Sequence, residues 1–142
     1  MQNIIGIAKA RERFSEIVNR AAFGRERFIV ERRGKPLATL MGAEEYEELM
    51  TLLADKGVND EIRGIPVRIH YDQGRYFVSD DIIDLYGVGN TIEEARADYW
   101  LAVLEAYEDL SAHESRLSPH LQEQLAYLRK MVDESAEQSS ET

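Results

Sequence analysis

Between Phe28 and Met41 the chain reads FIVERRGKPLATLM, two short apolar runs separated by Arg32, Arg33, Gly34, Lys35 and Pro36. Each run is too short for a helix and rich in strand-forming residues, while the Gly and Pro between them favour a reversal. The stretch therefore predicts a β-hairpin with strands over 28–30 and 37–41 and a turn over 33–36. The flanking segments change period. Residues 3–7, NIIGI, form a short strand-like run. From 8 to 22, Ala10, Phe14, Ile17, Val18 and Ala21 recur at helical spacing, with Arg11, Glu12, Arg13, Glu16 and Arg20 mainly on the opposite side. Gly24 is placed to stop that helix. A second helix begins at Ala43, with Tyr46, Leu49, Met50 and Leu53 as its stripe and four glutamates near its N-terminus, where the helix dipole favours anions. Gly57 marks its expected end.

The hairpin turn gathers cations in a chain whose formal net charge is -10. Residues 1–36 hold nine Lys and Arg against four Glu, a balance of +5, whereas residues 54–142 stand at -11. A split of this kind predicts two modules with different partners, one of them a polyanion. With 142 residues, 44% of them hydrophobic, the chain can bury one ordinary core or two small ones.

Residues 54–64, ADKGVNDEIRG, are polar and rich in turn formers and predict a linker. Ile65, Val67, Ile69 and Tyr71 then alternate with Pro66, Arg68, His70 and Asp72, the period of a half-buried strand. A turn at 72–74, a returning strand at 76–79 and a third run at 82–86 follow, ending in a Gly87-Val88-Gly89-Asn90 turn. Thr91 and Glu94 form a capping box for a helix whose inner stripe is Ala95, Tyr99, Ala102, Val103, Ala106 and Leu110. Ser118-Pro119 opens a last helix with Leu121, Leu125, Leu128 and Val132 as a narrow stripe. Residues 133–142, DESAEQSSET, predict a disordered acidic tail.

Several chemistries are excluded or disfavoured. There is no cysteine, hence no disulfide, thiolate metal site or cysteine nucleophile. His70, His113 and His120 lack metal-ligand spacing. Asp72, Asp80, Asp81 and Asp84 could serve a two-metal nuclease only if they converged, and their turn-like context favours solvated loop acids instead. Gly87-Val88-Gly89-Asn90 lacks the further Gly or Lys of a phosphate-binding loop. Charges interrupt the N-terminal segment where a signal peptide needs apolar residues, and no run of apolar residues is long enough to span a bilayer, so a cytoplasmic protein is expected.

The segment AKARERFSEIVNRAAFGRERFIVERRGKPLATLMGAEEYEEL resembles the Phd/YefM (prevent-host-death) antitoxin family in the order of its parts: the Ala-Arg pair and Phe-Ser of the first helix, the Gly before the hairpin, the RRGKPLATL turn and strand, and the EEYEEL helix. The resemblance covers residues 2–53 and implies a βαββα module that dimerises through its sheet, binds palindromic operator DNA and represses its own operon. It implies DNA contacts from Arg11 and Arg32, with Lys9, Arg13, Arg33 and Lys35 as further candidates. Residues 65–110 resemble a HicB-type domain, a partial RNase H-like βββα unit, through GVGNTIEEA ahead of an amphipathic helix. They depart from it in carrying DDIIDLYGVG where that family has a Pro- and Gly-containing stretch.

The expected protein is thus α+β: a Phd/YefM-like βαββα module over 1–53, a linker over 54–64, a HicB-like βββα module with an added C-terminal helix over 65–132, and an acidic tail. The expected function is a non-enzymatic antitoxin-type autorepressor without cofactor or metal. It would act as a dimer or higher oligomer on operator DNA, with its C-terminal module holding a toxin or assembling dimers. The alternative is a protein-interaction module that does not bind DNA. On this sequence either Arg32 or Arg33 could face the nucleic acid, because neighbouring strand residues point to opposite sides.

Overall fold

The computed structural model describes residues 2–140 and divides into two compact units, with the division falling between Leu52 and Leu53. In the first, β1 (Gln2–Gly6) leads into α1 (Ile7–Glu12) and α2 (Phe14–Gly24), then β2 (Arg27–Arg32), β3 (Lys35–Leu40) and α3 (Ala43–Asp55). The sheet order is β1-β2-β3, with β1 parallel and β3 antiparallel to β2. The helix expected over 8–22 bends at Arg13 (φ -112°, ψ 25°). Arg13 N–H still bonds to Lys9 O and Ile17 N–H to Arg13 O, four residues apart in each case, so the amphipathic stripe carries through the bend. Ala10, Ile17, Ala21 and Phe28 are the buried core of this unit, packed by Ile5, Val30 and Leu40.

Four buried residues make a small core. Ile4, Phe14, Phe23, Leu37, Tyr46, Leu49 and Leu52 all remain exposed, Phe23 to 86%.

The second unit is a four-stranded antiparallel sheet of order β4-β5-β6-β7, built from β4 (Val58–Ile62), β5 (Ile65–Asp72), β6 (Arg75–Ser79) and β7 (Tyr86–Gly89). α4 (Ile92–Ala112) and α5 (Pro119–Ser140) complete it, joined through a short 3-10 turn at Glu114–Arg116. Ile65, Val67, Ile69 and Val78 of the sheet meet Ala95, Tyr99 and Val103 of α4 and Leu128 of α5 in one buried cluster. Thr91 caps α4 by accepting from Glu94 N–H at 3.0 Å, while the Glu94 carboxylate accepts from Asn90 N–H rather than from Thr91.

Three expectations are corrected here. Residues 58–62 are the edge strand β4 and not linker, because Arg63-Gly64, both left-handed (φ 47° and 88°), turn the chain tightly back into β5. The third strand is the Gly-Val-Gly segment itself. A Cβ on Gly87 would lie 2.6 Å from the Ala95 carbonyl oxygen, and one on Gly89 2.6 Å from the Ala95 amide nitrogen, so these glycines let α4 lie directly on β7. Finally, α5 runs on to Ser140 through most of the stretch expected to be disordered; Ser135 is buried and accepts from Arg63, whose guanidinium also lies 4.8 Å from the Trp100 ring centroid. The last two residues of that stretch lie outside the described residues.

Asp80 is a buried hub rather than a solvated loop acid. Its carboxylate accepts from the backbone amides of Ile82, Ile83, Asp84 and Leu85 and from the Tyr99 hydroxyl at 2.8 Å, closing the loop between β6 and β7. Burial, reinforced by the hydrogen bond to Asp80, pushes the Tyr99 hydroxyl far above its ordinary value and keeps it a donor.

Candidate nucleic-acid interface

The β2–β3 hairpin closes through a two-residue turn, Arg33-Gly34, with both residues left-handed (φ 53° and 76°). That is the turn whose twist matches the flanking strands, and it favours Asn or Gly where this chain has Arg. Arg32 and Lys35 face each other directly across the end of the hairpin, so they share one side of the ribbon. Like charges in opposed positions cost roughly 0.2–1 kcal/mol. Local stability would favour neither the opposed cations nor the left-handed arginine.

β1 runs parallel to β2 with Gly6 opposite Glu31, so the chain leaves the sheet into α1 at the same end as the hairpin turn. Lys9 and Arg11 on α1 and Arg32, Arg33 and Lys35 on the hairpin therefore gather toward one end of the sheet, and all five are exposed. Arg13 sits at the bend between α1 and α2.

Pairing divides the nine cations of this unit. Glu16 holds Arg13 with two hydrogen bonds, at 2.9 and 2.6 Å, and Glu26 holds Arg20 with two at 2.6 Å. Arg25 bonds to Glu48 at 2.8 Å, and Arg27 pairs with the buried Glu45. These contacts act on the charges as expected. The hydrogen bond from Arg13 holds Glu16 below the usual carboxylate range, and those from Arg20 and Arg25 do the same for Glu26 and Glu48. Among the described residues, Lys9, Arg11, Arg32, Arg33 and Lys35 make no ion pair.

The contrast runs along a single strand. β2 starts at Arg27, neutralised by Glu45, and ends at the unpaired Arg32. Five of the six residues anticipated from sequence as DNA contacts are the unpaired set, and Arg13 alone is already committed to a carboxylate. What the sequence reading lacked was the separation of Arg20, Arg25 and Arg27 from the rest. Arg13–Glu16 is legible as an i, i+3 pair, but Arg25–Glu48 and Arg27–Glu45 join residues far apart in the chain.

Other constellations do not assemble. Among the described residues no group of three or more His, Asp or Glu could hold a metal ion. His113 Nδ1 lies 2.9 Å from the Asp109 carbonyl oxygen, and His120 lies within 3.4 Å of the Gln124 amide. No helix among the described residues is long and apolar enough to cross a membrane.

Comparison with known proteins places the first unit. Residues 2–56 match the family model described as antitoxin Phd_YefM, type II toxin-antitoxin system. No curated protein matches the chain. Among solved structures, the chain is similar to one in the toxin-antitoxin complex RelBE2 from Mycobacterium tuberculosis, at 26% identity and a TM-score of 0.36, covering 37% of this chain and 58% of that one. It is also similar to an antitoxin part of a proposed toxin/antitoxin system from Syntrophomonas wolfei subsp. wolfei, at 17% identity and a TM-score of 0.41, covering 93% of this chain and 88% of that one. The first match thus spans little more than half of its counterpart's length. In its motifs and over residues 2–56, the N-terminal part of this chain is thus similar to the Phd_YefM antitoxin family.

Proposed function

We propose that this protein is an antitoxin-type transcriptional autorepressor of a type II toxin-antitoxin system, non-enzymatic and cytoplasmic, binding operator DNA through its N-terminal unit. The observation that carries this reading is the segregation of unpaired cations: Lys9, Arg11, Arg32, Arg33 and Lys35 are left bare toward one end of the sheet, while Arg13, Arg20, Arg25 and Arg27 are each neutralised by a glutamate. Bare guanidinium and ammonium groups on a rigid turn and an adjoining helix suit phosphate neutralisation and insertion of one side chain into a groove. Arg13 has a supporting place at most.

The exposed Phe14, Leu37, Tyr46 and Leu49 support homodimerisation, which would bury them and present two basic ends to half-sites about one helical turn apart. The second unit, which we take as HicB-like in sequence, is the candidate for holding a toxin or partner protein. Its balance of -11 repels nucleic acid and suits a cationic protein.

Fluorescence anisotropy of the full chain against its own upstream DNA and a scrambled duplex, across a salt series, tests this. Four phosphate contacts per protomer, with the fifth cation in a groove, predict a log-log salt slope of about -3.6 per protomer, with tighter binding to the upstream sequence. Equal, negligible binding to both duplexes would leave the interaction-module reading, which the exposed apolar residues favour independently.

A further inference from the structure

The second unit has a groove outside the DNA-binding reading. It is an open channel of about 440 Å³ between the free edge of β7 and the outward side of α4, lined by Tyr86, Val88, Leu101, Asp84, Asp98 and Glu105 among others. Among the described residues β7 pairs with β6 alone, which leaves its other edge without a strand. Tyr86 and Leu101, exposed to 66% and 56%, are the two most exposed large apolar side chains described in this unit, and both border the channel. Its rim carries three carboxylates and no cation. Asp84 and Glu105 make no ion pair among the described residues, and Asp98 accepts only the Val88 amide of the strand edge, at 2.8 Å.

We propose that this groove docks a cationic segment of a partner protein, with Arg or Lys residues bracketing an aliphatic one; this rests on the reading that the second unit holds a partner. The aliphatic residue would cover Tyr86 and Leu101, and the flanking cations would meet Asp84 and Glu105. Polyanions are repelled by the rim. Continuous strand addition along β7 is hindered because Asp98 already occupies the Val88 amide, so recognition runs through side chains.

The test uses the full chain and a synthetic peptide of alternating leucine and arginine, with a leucine–glutamate peptide as control. Amide chemical shifts and calorimetry are recorded for wild type, Leu101→Gln and Glu105→Gln, both exposed positions whose folding is checked by circular dichroism. Saturable binding of the cationic peptide, shifts at Tyr86, Val88 and Leu101, and about tenfold weaker binding in Leu101→Gln are expected. Absence of saturable binding, shifts confined to other surfaces, or unchanged affinity in Leu101→Gln would overturn the groove. Self-association in sedimentation that disappears in Leu101→Gln, without peptide binding, would give the channel to a second copy and likewise overturn a partner segment. A neighbouring gene product that co-purifies equally with wild type and Leu101→Gln would overturn the groove while leaving the partner-holding reading intact.

Discussion

Arg33 concentrates the conflict between folding and the proposed DNA binding in one side chain. It occupies a left-handed position (φ 53°) in a two-residue turn, beside an Arg32–Lys35 pair that already repels itself. Asn tolerates that backbone better and removes the charge. Arg33→Asn is therefore expected to stabilise the hairpin by about 0.5 kcal/mol while lowering the salt slope of DNA binding by about 1. Thermal unfolding and anisotropy on one preparation would separate the two effects. A variant that gains stability without losing affinity would show that Arg33 stands clear of the nucleic acid and leave Arg32 as the hairpin's contact.

Among elements, how well the sequence announced each one follows from the range of the interactions that define it. The hairpin, α3, α4 and the leucine stripe of α5 were legible because their periodicity and caps lie within a few residues; Leu125 and Leu128 are buried as the stripe requires. β4 was not legible, since its exposed Val58, Asn59, Asp60 and Glu61 resemble loop, and only pairing with β5 makes them a strand. β7 hid for a related reason. Two glycines in four residues read as a turn until the helix above them is known, because a glycine allowing close packing looks the same in sequence as one allowing a bend. Gly87→Ala distinguishes these roles. In a turn the change would be mild, but here the new methyl meets the Ala95 carbonyl and the Tyr99 backbone, so a loss of about 3 kcal/mol in denaturant unfolding is expected. The candidate DNA site shows the same division. Its residue types were visible in the sequence, whereas the carboxylates that silence Arg25 and Arg27 come from α3, some eighteen or more residues away.

For the molecule as a whole, the two units have different means of staying folded. The first has a small core, an exposed apolar surface and ion pairs at the chain's surface, so its stability is expected to depend on association. The second closes on its own sheet and helices, with a buried carboxylate at the centre of a loop. Burial, reinforced by that carboxylate, makes Tyr99 an internal optical reporter. Because the folded hydroxyl ionises far above its unfolded value, the stability it contributes is fully present below about pH 10 and declines as the pH rises further. The measurement is an alkaline absorbance titration with circular dichroism followed in parallel. The signals of Tyr99 and of Tyr127, which burial also raises, should arrive late and abruptly, together with loss of the second unit's circular dichroism, and Tyr99→Phe assigns the Tyr99 share; a smooth titration before unfolding would show that Tyr99 is reached by solvent. The phenol at Tyr99, read as the difference from Tyr99→Phe, would thus report in ordinary ultraviolet light the moment at which the loop between β6 and β7 lets go.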